Sequence, residues 1–543
     1  MFRKYSIILT LCFVVLTGIL HAQDTIPLTI RATTTPLPLE MKQLTISQQI
    51  DRAFSPIVAV MNSILFWDPF AYTGLHDPIV YDENGVPFRD SAGNPVRSNV
   101  PFIVVWLIFG AVVFTIMMRF INIRGFRHAI QLIQGKYDDP SDPGEVSHFQ
   151  ALTTALSATV GLGNIAGVAI AISIGGPGAT LWMIIAGLLG MTSKFTECTL
   201  GVKYRKINEH GVVSGGPMYY MEIALKDKLG FFAKVLAVIF AIATILCSLG
   251  TGNMAQSHSM TDVLFSNYNF PTWISGLVIT SLVLLVIVGG IKRIADVTSK
   301  LVPVMAAAYF ISAITVIVIL YNRIPEAFNM IFHDAFTGTA AAGGFLGSAF
   351  IFTITWGVRR GLFSNEAGQG SAAIAHAAAK TKYPAREGLV ASVGPLIDTI
   401  IICTLTALVI ILTGAWSSGI KGVAMTVDGF TRGLSNVGLG SLGMHIVAGG
   451  LLLFAFSTII SWSYYGTRAA EYLFGEKLIK PYRYLYGLFV FLGSIWGIDL
   501  VWHFVDMVIT FMTVPNLIAL LLLAPVVSKE IKSYFSEMKR LKN

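Results

Sequence analysis

Charged side chains are scarce in this chain of 543 residues. They make up 13% of the sequence, whereas apolar residues make up 54% and the mean hydropathy is +0.69. A soluble globular domain carries about 25% charged residues. A surface so poor in charge must face lipid, which argues against a set of soluble domains.

Cysteines and catalytic motifs are equally few. The four cysteines lie singly in apolar segments, with no spacing typical of a disulfide framework or a metal site. The sequence has no P-loop, nucleophile elbow or metalloenzyme spacing, and the glycines between Gly161 and Gly167 lack the spacing and context of a dinucleotide fingerprint. We therefore expect no enzyme and no cofactor. No obligate protein partner is evident.

The net charge of +8 comes from short basic loops between apolar runs. A nucleic-acid-binding protein would instead gather its basic residues on one polar face. From this charge distribution we expect that the protein lies in a lipid bilayer and binds no nucleic acid.

The first residues are typical of a secretory signal. Arg3 and Lys4 precede an apolar stretch, and Ala22 offers a small residue for cleavage, which predicts a signal peptide over residues 1–22. An uncleaved first span is the alternative. Residues 23–100 are expected to form an exported segment, with an amphipathic stretch over 46–66 and an insertion over 71–99.

Apolar runs near the spanning length of about 20 residues follow. We predict about eleven spans, near residues 101–120, 151–174, 178–200, 231–253, 272–290, 300–321, 343–369, 388–413, 444–465, 483–498 and 500–526. The first is an extra helix, residues 151–321 and 343–526 form two halves, and residues 527–543 form a basic tail.

Lysine and arginine crowd alternate loops, including the tail, whereas residues 256–272 contain neither. The positive-inside rule then puts the C-terminus in the cytoplasm and the mature N-terminus outside. The signal peptide agrees with this orientation, and we expect a multi-pass protein of the bacterial cell inner membrane.

The two halves echo each other at an offset of 201 residues. Asn164 and Asn365 share an N-x-A-G motif, and the same offset relates Glu197 to Asp398. The first spans of the two halves run in opposite directions, so the pattern predicts an inverted repeat of five spans each. Such repeats with Gly-interrupted first helices point to a transporter site at the midplane. The alternative is chance recurrence in helices rich in Gly and Ala.

A helix interrupted in the membrane exposes N–H groups that suit a carboxylate and carbonyls that suit a cation. Gly161 and Gly163 give the first interruption, with the polar Thr159 and Asn164 beside it. We predict a second interruption at residues 356–361. Alternatively, these glycines form a packing face between helices.

Other polar residues occur inside apolar segments. The adjacent hydroxyls of Ser457 and Thr458 can form an oxygen cage for a hard cation, or they can bond back to their own helix. Gln256 is a ligand contact or an interhelical contact.

Four carboxylates lie in or near the spans: Glu197, Glu366, Asp398 and Asp506. Since burial of a carboxylate is costly, each is a candidate functional group. We favour structural pairing with Lys194, Arg359 or Arg360, and a proton relay remains the alternative.

Several separated runs resemble motifs of the alanine or glycine:cation symporter family: residues 161–167 followed by 175–179, 214–220, 360–368 and 462–466. The resemblance covers roughly residues 100–530. It implies the leucine-transporter-like fold of the amino acid–polyamine–organocation superfamily, all-α with a 5+5 inverted repeat. It also implies sodium as the coupling ion and a small neutral amino acid, alanine or glycine, as the substrate. Leu162 departs from the family, which often has Thr there.

The resemblance also implies the site residues. Those expected to bind substrate are Gly161, Gly163, Asn164, Gln256, Trp356, Gly357, Thr458 and Trp462. Those expected to bind sodium are Thr159, Gly163, Ser457 and Thr458, and the family motif contains Asn365, Glu366 and Gly368.

Two other functions stay open. A proton-coupled transporter would use Asp398 or Asp506. A transporter-like amino acid sensor would bind without transport, although no soluble signalling domain follows Lys529.

Overall fold

A computed structural model describes residues 67–74, 77–79, 99–337, 350–496 and 499–542, together with positions 86, 87, 89, 93, 95 and 97. The predicted signal peptide and amphipathic stretch lie outside the described residues. So does the side chain of Asp506.

The described chain is predominantly helical. The helices of its first half are α1 (Pro69–Tyr72), α2 (Phe102–Met117), α3 (Ile121–Arg124), α4 (Phe126–Ile133), α5 (His148–Thr159), α6 (Val168–Gly175), α7 (Ala179–Lys203), α8 (Pro217–Ala224), α9 (Lys226–Leu229), α10 (Phe231–Leu249), α11 (Ala255–Tyr268), α12 (Thr272–Ile287), α13 (Gly290–Ile319) and α14 (Ile324–Thr337). Those of its second half are α15 (Phe350–Asn365), α16 (Ser371–His376), α17 (Pro384–Ser392), α18 (Thr404–Leu412), α19 (Val423–Ser435), α20 (Leu442–Phe474), α21 (Ile479–Ile495) and α22 (Asp499–Lys542).

Shorter elements connect the helices. The π-helical turns are Gly163–Gly167, Gly250–Met254 and Leu396–Cys403, and the 3₁₀ turns are Tyr321–Arg323, Ala415–Ser417 and Glu476–Leu478. Strands β1 (Lys206–Ile207) and β2 (Val213–Ser214) pair in antiparallel register.

Each predicted span overlaps a helix or a helix pair. Within the described ranges, six helical stretches are long and apolar enough to cross a membrane, and a bent pair would make a seventh. The multi-pass helical architecture is confirmed, and the number eleven stays a prediction. One stretch runs from Phe231 to Tyr268, well past the predicted end at residue 253, because Asn253, Gln256 and Ser257 are buried in protein.

The first predicted interruption is present. Helix α5 begins with a capping box, in which the Ser147 hydroxyl accepts a hydrogen bond from the Gln150 N–H and the Gln150 side chain accepts one from the Ser147 N–H. It ends at Thr159, where the backbone of Val160 turns extended. The axis then bends by 55° into the stretch Gly163–Gly175.

The predicted position of the second interruption is wrong. Helix α15 is continuous through residues 356–361 and ends at Asn365. The chain turns after it, with positive φ angles of 55° at Glu366, 85° at Gly368 and 88° at Gly370. Gly357 instead serves packing, since a Cβ there would lie 2.4 Å from the carbonyl oxygen of Ala179 on α7.

Helix α7 lies at the centre of the bundle and packs against α15 and α17. Its second half is continuously buried from Gly190 to Val202 and carries Lys194 and Glu197 into the core. The interior is therefore polar at the level of the second interruption.

The residues that flank the predicted insertion, Asp68 and Val100, are joined to each other. The Asp68 carboxylate caps α1 by accepting hydrogen bonds from the Phe70 and Ala71 N–H groups. Its other oxygen accepts one from the Val100 N–H at 2.8 Å. This fixes the segment before α2 to the start of that helix.

Candidate functional site

A cavity of about 470 Å³ opens at the first interruption. Residues of the first broken helix form one wall, and most of the remaining lining comes from α11, α15 and α20, with single residues from the turn Gly250–Met254, α19 and α22. Its wall includes Thr159, Gly161, Gly163, Gln256, Ser364, Glu366, Thr458 and Trp462. The cavity size is typical of a small-molecule site.

Seven of the predicted site residues thus meet around one cavity, although they come from four separate parts of the sequence. Asn164 is fully buried behind the wall. Trp356 and Gly357 do not line the cavity. The Trp356 ring instead lies 5.5 Å from the guanidinium carbon of Arg360, which does line it.

Trp462 lines the cavity and lies against the backbone of Gly252. A Cβ at Gly252 would lie 2.3 Å from the indole Cγ, so only glycine lets the π-helical turn Gly250–Met254 approach the ring this closely. Trp462 is 2% exposed and forms a rigid apolar wall.

Gln256 presents a buried acceptor to the cavity. Its amide nitrogen donates to the Thr251 carbonyl at 3.2 Å, while its Oε1 is buried without a hydrogen-bond partner. A Cβ on Gly161 would lie 3.8 Å from this oxygen. A buried amide oxygen without a partner is costly, and a donor on a ligand would satisfy it.

A cluster of oxygens joins α5 to α20. The hydroxyls of Ser457 and Thr458 donate to the Ser157 carbonyl at 3.2 and 3.1 Å. The Ser157 hydroxyl donates to the Ser457 carbonyl at 2.6 Å and accepts from the Ser461 hydroxyl at 2.9 Å. We call Ser157, Ser457, Thr458 and Ser461 the oxygen cluster. Hydroxyl and carbonyl oxygens are the ligands that hard cations prefer.

The other two predicted sodium ligands lie apart from this cluster. The Thr159 hydroxyl bonds back to the Leu156 carbonyl at 3.2 Å. Gly163 faces α15, since a Cβ there would lie 3.8 Å from the Cα of Ser364. Ser457 and Thr458 also bond back to the Phe454 carbonyl of their own helix, as the alternative interpretation expects, and the cation cage stays a prediction.

The buried carboxylates differ in their partners. Glu197 lies 3.9 Å from the Lys194 ammonium, as predicted, and accepts a hydrogen bond from the Gly370 N–H. Glu366 accepts one from the Ser371 hydroxyl. Asp398 has no ion pair with lysine or arginine within the described ranges, contrary to the favoured interpretation, and accepts hydrogen bonds from neutral groups instead.

Asn164 holds the shape of the first interruption. Its Oδ1 accepts a hydrogen bond from the Gly161 N–H at 2.8 Å, and its Nδ2 donates to the Asp398 carboxylate at 2.8 Å. Asn365 does the same at the second, because its Oδ1 accepts from the Ala367 N–H and its Nδ2 donates to the Thr399 hydroxyl. The family-motif residue Gly368 accepts a hydrogen bond from Asn516.

A multi-pass helical bundle with a cavity at an interrupted helix is the arrangement typical of membrane transporters of the secondary type. The described residues contain no group of three or more His, Cys, Asp or Glu placed to hold a metal ion.

The sodium:alanine symporter family model matches residues 90–543. The chain belongs to this family of transporters, which are not enzymes. The sodium/alanine symporter AgcS of Methanococcus maripaludis is 41% identical over 454 residues, which cover 82% of this chain and 97% of that protein. A probable sodium/glutamine symporter of Bacillus subtilis is 35% identical and covers 80% and 88% of the two chains.

The fold is also found among solved structures. A Na⁺-coupled sialic acid symporter superposes with a TM-score of 0.50 at 13% sequence identity, covering 78% of this chain and 87% of that one. At this identity the likeness concerns the fold alone.

Proposed function

We propose that the protein imports a small neutral amino acid, alanine or glycine, together with sodium. The observation that carries the proposal is that α5 and α20 share two features. Thr159 and Thr458 line one cavity, and the oxygen cluster, which includes Thr458, joins the same two helices. A zwitterion in the cavity and a cation at the cluster would therefore stabilise the same interface.

The amino acid would bind at the interruption itself. Its carboxylate would meet backbone N–H groups at the start of Gly163–Gly175, where the helix dipole favours negative charge. Its ammonium group would donate to freed carbonyls and to the Gln256 Oε1, which is buried without a partner. Trp462 would limit the size of the side chain.

Sodium would bind among the oxygens of the cluster and hold α5 against α20. Each ligand then favours the arrangement that the other needs, so their affinities are raised by the same factor. This reciprocity is the thermodynamic basis of symport.

Proton coupling is the second candidate. The observation in its favour is that Asp398 is fully buried and contacts Asn164 at the first interruption. In this alternative, protonation of the Asp398 carboxylate would be coupled to amino acid transport in place of sodium binding. Uptake driven by a pH gradient in sodium-free medium would support this alternative.

We further infer a place in the bacterial inner membrane, with the mature N-terminus outside and the C-terminus in the cytoplasm. The alternation of basic loops supports this orientation.

The deciding experiment is uptake of labelled L-alanine, glycine and L-glutamine into proteoliposomes, under an inward sodium gradient or a matched potassium gradient. We expect accumulation of alanine or glycine with sodium only. The variant Gly161→Val should abolish it, since a Cβ at Gly161 already lies 2.8 Å from the Thr458 hydroxyl oxygen. Gly449→Val is the matched control, because a Cβ there meets nothing within 4 Å.

Each result has one meaning. Accumulation with potassium alone would reject sodium coupling. Accumulation of glutamine without alanine or glycine would reject the proposed substrate. Equal uptake by Gly161→Val and the wild type would remove the cavity from the transport path.

A further inference from the structure

Asp398 contacts both helix interruptions from a third segment, the π-helical turn Leu396–Cys403. One carboxylate oxygen accepts a hydrogen bond from Asn164 Nδ2 at 2.8 Å. The other accepts from the Ser364 hydroxyl at 2.9 Å and from the Thr399 hydroxyl at 2.8 Å. Asp398, Asn164 and Thr399 are each fully buried.

In each of these hydrogen bonds the Asp398 carboxylate is the acceptor. The donors are also oriented by their other bonds: Asn164 Oδ1 accepts from the Gly161 N–H, and the Thr399 hydroxyl accepts from Asn365. A residue that accepts at both oxygens therefore fits this position, and hydrogen bonds to a charged acceptor are about twice as strong as neutral ones.

The contacts reach the cavity wall on both sides. Gly161 and Ser364 both line the cavity, and each is one or two hydrogen bonds away from Asp398. A shift of the first interruption is thus passed from Asn164 to Ser364 at the end of α15 by two routes. One runs through the Asp398 carboxylate, and the other is a direct hydrogen bond from Asn164 Nδ2 to the Ser364 hydroxyl at 3.2 Å.

We propose that Asp398 is a positioning residue that clasps the two interruptions together, so that ordering one by a ligand orders the other. The clasp deepens the proposed function, on which it rests, by assigning part of the coupling between sodium and amino acid to a residue outside the cavity.

The substitutions differ in what they remove. Asp398→Asn keeps the side-chain size and one acceptor oxygen. Its amide nitrogen, however, would face groups that donate hydrogen bonds in the wild type, so that donor would meet donor. Asp398→Leu removes both carboxylate acceptors and leaves the Asn164 amide nitrogen with only the main-chain carbonyl of residue 398 and the Ser364 hydroxyl as oxygen acceptors. Glu471→Gln is the control, because Glu471 is also a buried carboxylate but contacts Arg468 and Ser214 away from both interruptions.

The test has one arm that needs no ligand. Hydrogen–deuterium exchange of the full-length protein in nanodiscs should show faster exchange in Asp398→Asn, and faster still in Asp398→Leu, for peptides covering residues 160–167 and 364–371 together. Glu471→Gln should leave both peptides unchanged. Faster exchange at only one interruption, or at neither, would overturn the clasp.

The second arm measures the alanine dissociation constant with and without saturating sodium. We expect Asp398→Asn to reduce the ratio of the two constants about tenfold, within the range usual for coupled sites. A residue with a merely structural role would lower the unfolding temperature and leave this ratio at the wild-type value, which would overturn the proposal.

The two arms separate the failures. If the wild type binds neither sodium nor alanine, the proposed function fails, and the exchange data still decide whether the clasp exists. If the wild type binds both cooperatively and the exchange data show no joint loosening, the clasp alone fails.

Discussion

The Ser457 hydroxyl lies between the Ser157 carbonyl and its own helix, on the side of α20 that faces the first broken helix. If sodium binds in the oxygen cluster, removal of this hydroxyl takes away one ligand. We expect Ser457→Ala to raise the sodium concentration for half-maximal alanine uptake by about tenfold or more, since a lost contact to a charged group is worth ~1.5–3 kcal/mol. The measurement is a sodium titration of initial uptake rates.

Ser463→Ala is the matched control for that titration. Ser463 lies on the same helix and is buried, but its hydroxyl bonds only to the Ile460 carbonyl among its described contacts. Equal sodium dependence of the two variants would remove the cluster from the coupling site.

Gln256 is expected to recognise the amino acid rather than the ion. Gln256→Leu keeps the side-chain size and removes the buried Oε1 acceptor, so the KM for alanine should rise about tenfold through loss of a hydrogen bond to the ammonium group. The half-saturating sodium concentration at saturating alanine should change far less. A change of equal size in both constants would contradict this division of roles.

Local sequence explains which site residues were predictable. Glycine spacing and the resemblance predict Gly161, Thr458 and Trp462, which do line the cavity. They do not predict Ser157, because a single serine in an Ala- and Thr-rich helix has no distinguishing signal. The resemblance predicts Trp356 at the site together with an interruption at residues 356–361, whereas the chain turns only after Asn365.

At the scale of the helix, glycine has two uses that composition does not separate. Gly161 allows the chain to break, whereas Gly357 allows α15 to approach the Ala179 carbonyl on α7. The actual second interruption follows Asn365 and is marked by the positive φ angles of Glu366 and Gly368. Backbone conformation of that kind depends on tertiary contacts, so the sequence predicts that a second interruption exists but not where it lies.

The first half of the broken helix is anchored at its start by a buried carboxylate. Glu387 on α17 accepts hydrogen bonds from His148, the first residue of α5, and from His376 on α16. All three side chains are at most 1% exposed. These contacts connect α5 to the segment that follows the second interruption.

We therefore expect Glu387→Gln to destabilise the protein by about 3 kcal/mol, because breaking a buried charged pair leaves the partner uncompensated. The measurement is thermal unfolding of the purified protein in detergent. Glu530→Gln, which removes a partly exposed partner of Lys203, should cost about 1 kcal/mol or less. Equal stability of the two variants would contradict the anchoring role of Glu387.

At the scale of the whole molecule, hydropathy was enough to locate the helices, because lipid imposes apolar stretches of nearly constant length. It was less successful where a helix is buried in protein. The stretch Phe231–Tyr268 continues past polar residues that pack inside the bundle, and α2 and α12 are short. Burial by neighbouring helices, which hydropathy does not contain, decides these cases.

Orientation in the membrane can be tested on the two sides of α20. This helix has 33 residues, about 50 Å at 1.5 Å per residue, so its ends must lie near opposite surfaces. Lys421 before it and Lys477 after it are both exposed, and the basic loops predict that Lys477 faces the cytoplasm. Cys198, Cys247 and Cys403 are buried and should not react, and Cys12 can be replaced by serine.

A membrane-impermeant maleimide should therefore label Lys421→Cys in intact cells and Lys477→Cys only after permeabilisation. The result follows from the alternation of basic loops, because the membrane potential and the insertion machinery retain positive charge on the cytoplasmic side. The reverse labelling pattern would show that the orientation of the whole protein is opposite to the one inferred. The cavity would then open to the opposite side of the membrane at each stage of transport. Labelling of both positions in intact cells would mean that α20 does not span the bilayer, which would contradict the multi-pass arrangement of the second half.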